Sequence, residues 1–376
     1  MISVLGLLFI LYLLLVTVLV VGWNNALKSE VPSDVFQEPF LSVIIPIRNE
    51  GKVIAELLKD ICNQSYKNFE VILVDDHSKD DTAEVVVSFT LQDDRFKLLN
   101  SLGEGKKVAL TQGINMSKGE IIITTDGDCR VNKHWLSSTA RFFQSGNIKM
   151  VFGGVKIEGD NFFSKIQSHE FLSLIGTAAA TWSLGLPTMC NGANLAFRKS
   201  VFMEVGGYAG NFHIPSGDDE FLMRKIFKRY SQGIVFANTS ETVVTTSSIS
   251  STRQLIYQRI RWAGKWKYNT SVLNVMLTIF VFCFQSAVIL LPLAMIAGWI
   301  DPALGIGLFA AKIFIELIFL KNVSTFLQVP WNWTAFALLQ FVYPMYVVLV
   351  GLIANFSSFE WKGRKLNSLT VSILKK

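Results

Sequence analysis

Apolar positions in this chain concentrate in residues 2–22 and again after residue 271, and the stretch between them is patterned like an ordinary globular domain. Residues 2–22 carry no charge and are long enough to cross a bilayer. Three more apolar stretches follow Tyr268, at about 271–300, 303–320 and 333–355, with Asp301 and Pro302 breaking the first from the second. In the globular part, Phe40 to Pro46 is a β-type run ended by proline. Val53, Ile54, Leu57, Leu58 and Ile61 then recur at helical spacing across residues 50–62. Residues 69–74 form a second strand, and Asp80, Asp81 and Thr82 supply capping residues for another helix. A short strand at 95–99, a helix at 106–116 and a strand at 120–125 complete the series. Strand alternates with helix, and the strands are continuous Val/Ile runs, as in a sheet buried on both faces. The expected class is α/β, with a mostly parallel sheet flanked by helices.

Composition agrees with a membrane protein: of 376 residues, 51% are hydrophobic and only 17% charged. The expected plan is an N-terminal transmembrane anchor at 1–23 and a cytosolic domain at 24–270 that ends in an interfacial amphipathic helix. C-terminal hydrophobic helices at 271–356 and a basic tail at 357–376 follow. A cleavable signal peptide fits residues 2–22 poorly, because the apolar core is long, no positive charge precedes it and no Ala-x-Ala site follows. Positive charge follows the segment at Lys28, Arg48 and Lys52, which puts the globular domain in the cytosol. The net charge of +6 gathers beside the membrane segments, at Arg259, Arg261 and Lys265 and in the tail, so lipid head groups rather than nucleic acid are the expected partner. Three full C-terminal spans would carry that basic tail to the outside, against the same charge rule. Lys312 and Glu316 stand four apart on one face of the middle stretch, as an ion pair facing other helices or as an acceptor-contacting pair. The four cysteines form no Cys-x-x-Cys pair, which fits a reducing compartment.

In such a sheet, ligands bind beyond the carboxyl ends of the strands. Two ends carry acids here: Asp75 and Asp76 after the second strand, and Asp126-Gly127-Asp128 after the fourth. Two carboxylates flanking a glycine suit a divalent cation, since Mg²⁺ takes one or two carboxylates plus substrate phosphates. They would serve equally as acid caps on a surface turn. No Gly-x-Gly-x-x-Gly follows the first strand, so a dinucleotide site has no support. Asp218, Asp219 and Glu220 open a helical run to Tyr230, either as macrodipole partners or with one of them as a general base. Gln258, Arg261 and Trp262 share a face of the stretch 251–268, where Arg can pair with a diphosphate and Trp can carry a sugar. That face equally suits a helix lying in the membrane boundary. Lys106 starts a helix after Gly105, a place for a phosphate or a solvated charge. The long apolar stretch 162–186 is a core helix or a membrane-surface helix beside an acceptor entrance.

Taken in order, several motifs resemble a membrane-bound family 2 glycosyltransferase of GT-A fold, in the branch with a Gln-x-x-Arg-Trp motif. They are Val43 to Glu50, Val74 to Ser78, Asp126 to Asp128, Asn191 to Arg198, Gly217 to Asp219 and Gln258 to Trp262. The resemblance covers about residues 40–268 and implies the following roles. Pro46, Arg48, Glu50, Asp75, Asp76, Lys106 and Asp126 would contact the nucleotide-sugar donor, expected to be a UDP-sugar. Asp126 and Asp128 would hold Mg²⁺ or Mn²⁺ against the diphosphate. Asp219 would be the catalytic base, with Asp218 in place of the family's usual Glu. Gln258, Arg261 and Trp262 would close over the diphosphate and the acceptor. Transfer would invert the anomeric centre. The Trp361 to Arg364 tail resembles that of lipid glycosyltransferases, so a membrane lipid acceptor is expected at the cytosolic face of a bacterial inner membrane. A processive polysaccharide synthase, or a non-catalytic sugar-nucleotide-binding protein, are the alternatives.

Overall fold

The computed structural model of the chain describes residues 2–29, 38–212, 214, 216–268, 271–354, 359–361 and 364–366. They fold as two compact units, one of Asn25–Glu158 and Thr181–Ser247, the other of Met1–Asn24, Gly159–Ala180 and Ser248–Lys376.

The first unit is built from strands β1 (Leu41–Ile47), β2 (Phe69–Asp75), β3 (Phe96–Asn100), β4 (Ile121–Thr124), β5 (Cys129–Arg130), β6 (Met150–Gly153), β7 (Val155–Glu158), β8 (Leu195–Arg198), β9 (Ile234–Ala237) and β10 (Val244–Ser247). Seven of them form one sheet in the order β3-β2-β1-β4-β8-β6-β9, and β5-β10-β7 form a smaller one. β1 to β4 are parallel, β8 runs antiparallel to β4 and β6, and β9 is parallel to β6. Val43, Ile44 and Ile45 on β1, Val71, Ile72 and Leu73 on β2 and Ile121, Ile122 and Ile123 on β4 are all buried. Each such side chain stabilises the fold by about 1.5–3 kcal/mol. The helices Ile54–Cys62, Thr82–Thr90 and Lys106–Met116 connect these strands where the apolar spacing places them.

Two details differ from the sequence expectation. Pro46 does not end β1, which continues to Ile47. The ladder to β4 stops at Ile44↔Thr124, so Pro46 lies beyond the last β4 pair, where only β2 still flanks the strand. A missing N–H is tolerated at such a strand end. The sheet also gains β6, β8 and β9, each of four residues. Runs that short carry little periodicity of their own, and pairing with longer neighbours decides them.

In the second unit, the helices Val4–Leu27, Val272–Ile296, Pro302–Leu327 and Trp333–Ile353 are long and apolar enough to cross a membrane. The middle C-terminal helix runs past its expected end and through Lys321, whose Nζ lies 5.0 Å from the Trp331 ring centroid. Lys312 is an ion-pair partner, as one of the two readings has it. Its Nζ lies 2.9 Å from Glu316 Oε2 and donates to Gln340 Oε1 at 2.8 Å, while Tyr12 donates to Glu316 Oε1. A buried ammonium among apolar helices needs such partners. The helix Phe162–Ser183 and the helix Thr252–Ala263, continued by the turn Gly264–Tyr268, complete the described helices of this part. Of the basic tail, 359–361 and 364–366 pair as two short strands. Its remaining residues, Lys362 and Gly363 included, lie outside the described residues.

Candidate active site

The carboxyl ends of β1, β2 and β4 lie at one end of the parallel sheet, because these strands share a direction and Ile47 pairs with Asp75. Arg48, leaving β1, is buried and donates to the backbone carbonyls of Asp76 and His77, the latter at 3.0 Å. Asp75 accepts from Ser78 N at 3.0 Å and from the Ser78 hydroxyl. Asp76 accepts from Gly105 N at 3.1 Å, which ties the end of β2 to the start of the helix Lys106–Met116. Arg48, Asp75 and Asp76, expected to meet the donor, therefore also shape the loops of this end.

Lys106 is the link between the two acid motifs. Its Nζ lies 2.7 Å from Asp126 Oδ1 and 3.4 Å from Asp218 Oδ2. Burial opposes its charge, but the carboxylates of Asp126 and Asp218 hold its pKa well above the usual lysine value. Asp218 and Asp219 open the helix Asp218–Arg229. The loop after Cys190 closes on them: Gly192 N donates to Asp219 Oδ2 at 3.0 Å, and Glu220 N donates to Asp219 Oδ1 at 2.7 Å. A methyl on Gly192 would stand 3.0 Å from Asp218 Oδ2 and 3.4 Å from Lys106 Nζ, so any larger residue there would press on both side-chain ends. Two backbone donors thus fix both oxygens of Asp219 at the head of the acid helix.

The turn after β4 carries Asp126 and Asp128 on either side of Gly127. A Cβ on Gly127 would lie 1.8 Å from Glu50 Oε2, so the turn packs directly on the buried Glu50 carboxylate. Burial, with Asp128 and Asp126 adding to it, pushes the Cys129 thiol well above its usual pKa, which leaves it a neutral neighbour. Among the described residues no group of three or more His, Cys, Asp or Glu side chains is arranged to hold a metal ion. The donor set is two hard carboxylates on one tight turn, and it fits Mg²⁺ or Mn²⁺ completed by diphosphate oxygens.

Gln258, Arg261 and Trp262 belong to the second unit. Within this motif Arg259 is buried. Arg259 Nε and Nη2 reach Glu170 Oε1 at 3.2 Å and Oε2 at 2.5 Å. Arg259 also donates to Gln258 Oε1, and its Cζ lies 4.4 Å from the Trp262 ring centroid, with Phe171 6.1 Å from the same ring. Two of the three motif side chains are thus gripped by a residue between them. Burial would lower the Arg259 pKa, and Glu170 more than reverses this.

Sequence reasoning missed several residues here. Lys107, buried beside Lys106, donates to three backbone carbonyls. Tyr208 is buried, and burial together with the Asp218 carboxylate drives its hydroxyl pKa well above the usual value. Neither carries a sequence signal beyond a Lys-Lys pair and a glycine-rich turn. Glu170 did carry one: a single acid in the apolar stretch 162–186 demands a cationic partner.

Residues 42–206 match glycosyl transferase family 2. That match covers under half of the chain. The chain is 29% identical over 212 residues to the glycosyltransferase GlyG of Streptococcus pneumoniae, covering 53% of this chain and 68% of that protein. It is 28% identical over 232 residues to the beta-monoglucosyldiacylglycerol synthase of a Nostoc species, covering 60% of this chain but only 48% of the relative. Among solved structures, the mannosyltransferase PcManGT from Pyrobaculum calidifontis, in complex with GDP-Man and Mn²⁺, superposes with a TM-score of 0.61 at 19% identity, covering 94% of this chain and 99% of that one. The fold is GT-A, with four apolar helices able to span a membrane.

Proposed function

We propose that the protein is a family 2 glycosyltransferase, a metal-dependent, inverting enzyme that moves a sugar from a nucleotide-sugar, UDP-linked in our reading, to a membrane lipid at the cytosolic face of a bacterial inner membrane. The observation that carries the chemistry is the contact of Lys106 with both Asp126 and Asp218, which draws a diphosphate-side acid and the acid helix around one ammonium. The lipid acceptor rests on the four apolar helices and on the likeness to a diacylglycerol glycosyltransferase. In this reading residues 24–270 are the catalytic domain and 1–23 the anchor.

Asp219 accepts the proton of the acceptor hydroxyl as its oxygen bonds to the anomeric carbon. The bond from that carbon to the diphosphate oxygen breaks on the opposite face, and the nucleoside diphosphate leaves with the electron pair. Lys106 stabilises the charge that develops on it, an electrostatic contribution that is often the largest in such sites. Asp126 and Asp128 would hold a divalent ion, which would supply Lewis-acid stabilisation of the departing diphosphate. Asp75 and Asp76 face the base and ribose, and Gln258, Arg261 and Trp262 engage the diphosphate and the acceptor.

Membrane vesicles incubated with radiolabelled UDP-glucose, and separately with GDP-mannose, test this. Label in one chloroform-soluble species is expected. Label in a high-mass, water-soluble polymer would identify a processive synthase instead, and no transfer from any nucleotide-sugar would indicate a binding protein.

A further inference from the structure

We propose that Lys107 is a positioning residue for the acid pair Asp218–Asp219, a role that rests on the assignment of those acids to catalysis. Lys107 follows Lys106 on the first turn of the helix Lys106–Met116, and the two side chains part. Lys106 reaches the Asp218 carboxylate directly. Lys107 turns inward, is 6% exposed, and donates to Asn211 O at 2.8 Å, Ile214 O at 2.6 Å and Ser216 O at 3.0 Å.

An ammonium has three protons to donate, and among the described residues three carbonyls accept from it. Burying a cation is costly unless it is paired or fully hydrogen-bonded, and bonds to a charged donor are shorter and stronger than neutral ones. The three acceptors all lie within the six residues 211–216, immediately before Gly217 and the helix Asp218–Arg229. The charge is thus used to fix the path of the chain entering the acid helix. Phe221, in the first turn of that helix, closes the cage with its ring centroid 5.6 Å from Lys107 Nζ. From the other side, Lys225 of the same helix donates to Gly207 O and Ala209 O, both at 2.7 Å. The segment before the acids is therefore held by two ammonium groups, one from each flanking helix. Methionine at 107 would keep the apolar stem and lose all three bonds. The donor-side groups Arg48, Asp75, Asp76 and Lys106 would remain.

The experiment is a double-mutant cycle on the full-length enzyme in detergent or vesicles, with UDP-glucose, or with GDP-mannose if only that donor labels lipid. Lys107→Met should lower kcat by about 10-fold or more, while the affinity for UDP or GDP stays within about twofold. Asp219→Asn should lower kcat about 10²-fold. If Lys107 acts through Asp219, adding Lys107→Met to Asp219→Asn costs little further, because residues acting as one unit are not additive. Losses that multiply in the double variant, or a Lys107→Met enzyme with normal kcat, overturn the proposal. Full turnover in Asp219→Asn alone overturns the base assignment instead, and the cycle is then run against Asp218→Asn. If Lys107→Met does not fold, Lys107→Arg, which keeps the charge in a different shape, is read through the same cycle with the same criteria.

Discussion

Lys106 and Asp126 are in direct contact, with Nζ 2.7 Å from Oδ1, and Asp218 Oδ2 lies 3.4 Å from the same nitrogen. One ammonium thus sits between two carboxylates and offsets part of their mutual repulsion. A divalent ion bound to Asp126 and Asp128 has to share Asp126 with this lysine. Metal should therefore bind weakly to the protein alone and tightly once donor diphosphate adds its charge. Transfer is expected to stop in EDTA and to return with Mn²⁺ or Mg²⁺. Lys106→Met should bind Mn²⁺ more tightly than wild type in the absence of donor, measured by electron paramagnetic resonance, yet turn over more slowly. Full transfer by a preparation shown metal-free by elemental analysis would rule out the metal role.

Asp219 accepts one backbone N–H on each oxygen, from Gly192 and Glu220. Asparagine in its place keeps the shape but cannot take a proton, and its amide nitrogen would face one of those donors. We expect kcat to fall by ~10²-fold or more, the usual scale for general base catalysis, with donor binding little changed. Near-normal kcat would move the base to Asp218 or Glu220.

The four leading strands and the acid-bearing strand ends were legible because buried parallel strands are continuous Val/Ile runs, and β1, β2 and β4 are of that kind. The Asp126-Gly127-Asp128 turn was legible for the same reason, since it directly follows such a strand. What could not be read is which polar groups serve the fold. Asp76 and Arg48 look like donor contacts in sequence, and the structure shows them also bonding loop backbone. Lys107 looks like half of a solvated charge pair and is buried. Such roles depend on residues about a hundred positions away, such as Asn211 and Ile214, which no local pattern reports.

Arg259 and Glu170 are paired through two hydrogen bonds, with side-chain exposures of 4% and 10%. Removing one member leaves the other charged, buried and unpaired. Glu170→Gln should destabilise the protein by about 3–5 kcal/mol, the usual cost of breaking a buried pair. Replacing both residues together, as Glu170→Met with Arg259→Met, should cost less than either change alone, because no charge is stranded. Thermal unfolding in detergent reads both. A Glu170→Gln protein that melts with wild type would show the pair to be dispensable.

His169 sets the last expectation, a pH dependence of stability. Its Nδ1 lies 2.9 Å from the carbonyl oxygen of Lys165, which can only accept, so Nδ1 carries the proton. Nε2 is then bare and accepts from Asn332 N at 2.9 Å, tying the helix Phe162–Ser183 to the turn before the last apolar helix. A proton on Nε2 would set N–H against N–H. Burial lowers the His169 pKa below the usual 6.5, and the nearby Lys321 charge acts in the same direction, against the bond to Lys165. Well above pH 6.5 the imidazole is neutral in both folded and unfolded chains and contributes no pH dependence. As pH falls through 6.5 the unfolded chain binds a proton that the folded one resists, so stability is lost until the folded pKa is passed. The melting temperature in detergent should therefore drop between pH 7 and pH 5. His169→Phe, though less stable throughout for want of the Asn332 bond, should show a smaller drop than wild type over the same interval. Equal drops in the two proteins would mean that other groups carry the pH dependence and that His169 titrates as it does in the unfolded chain.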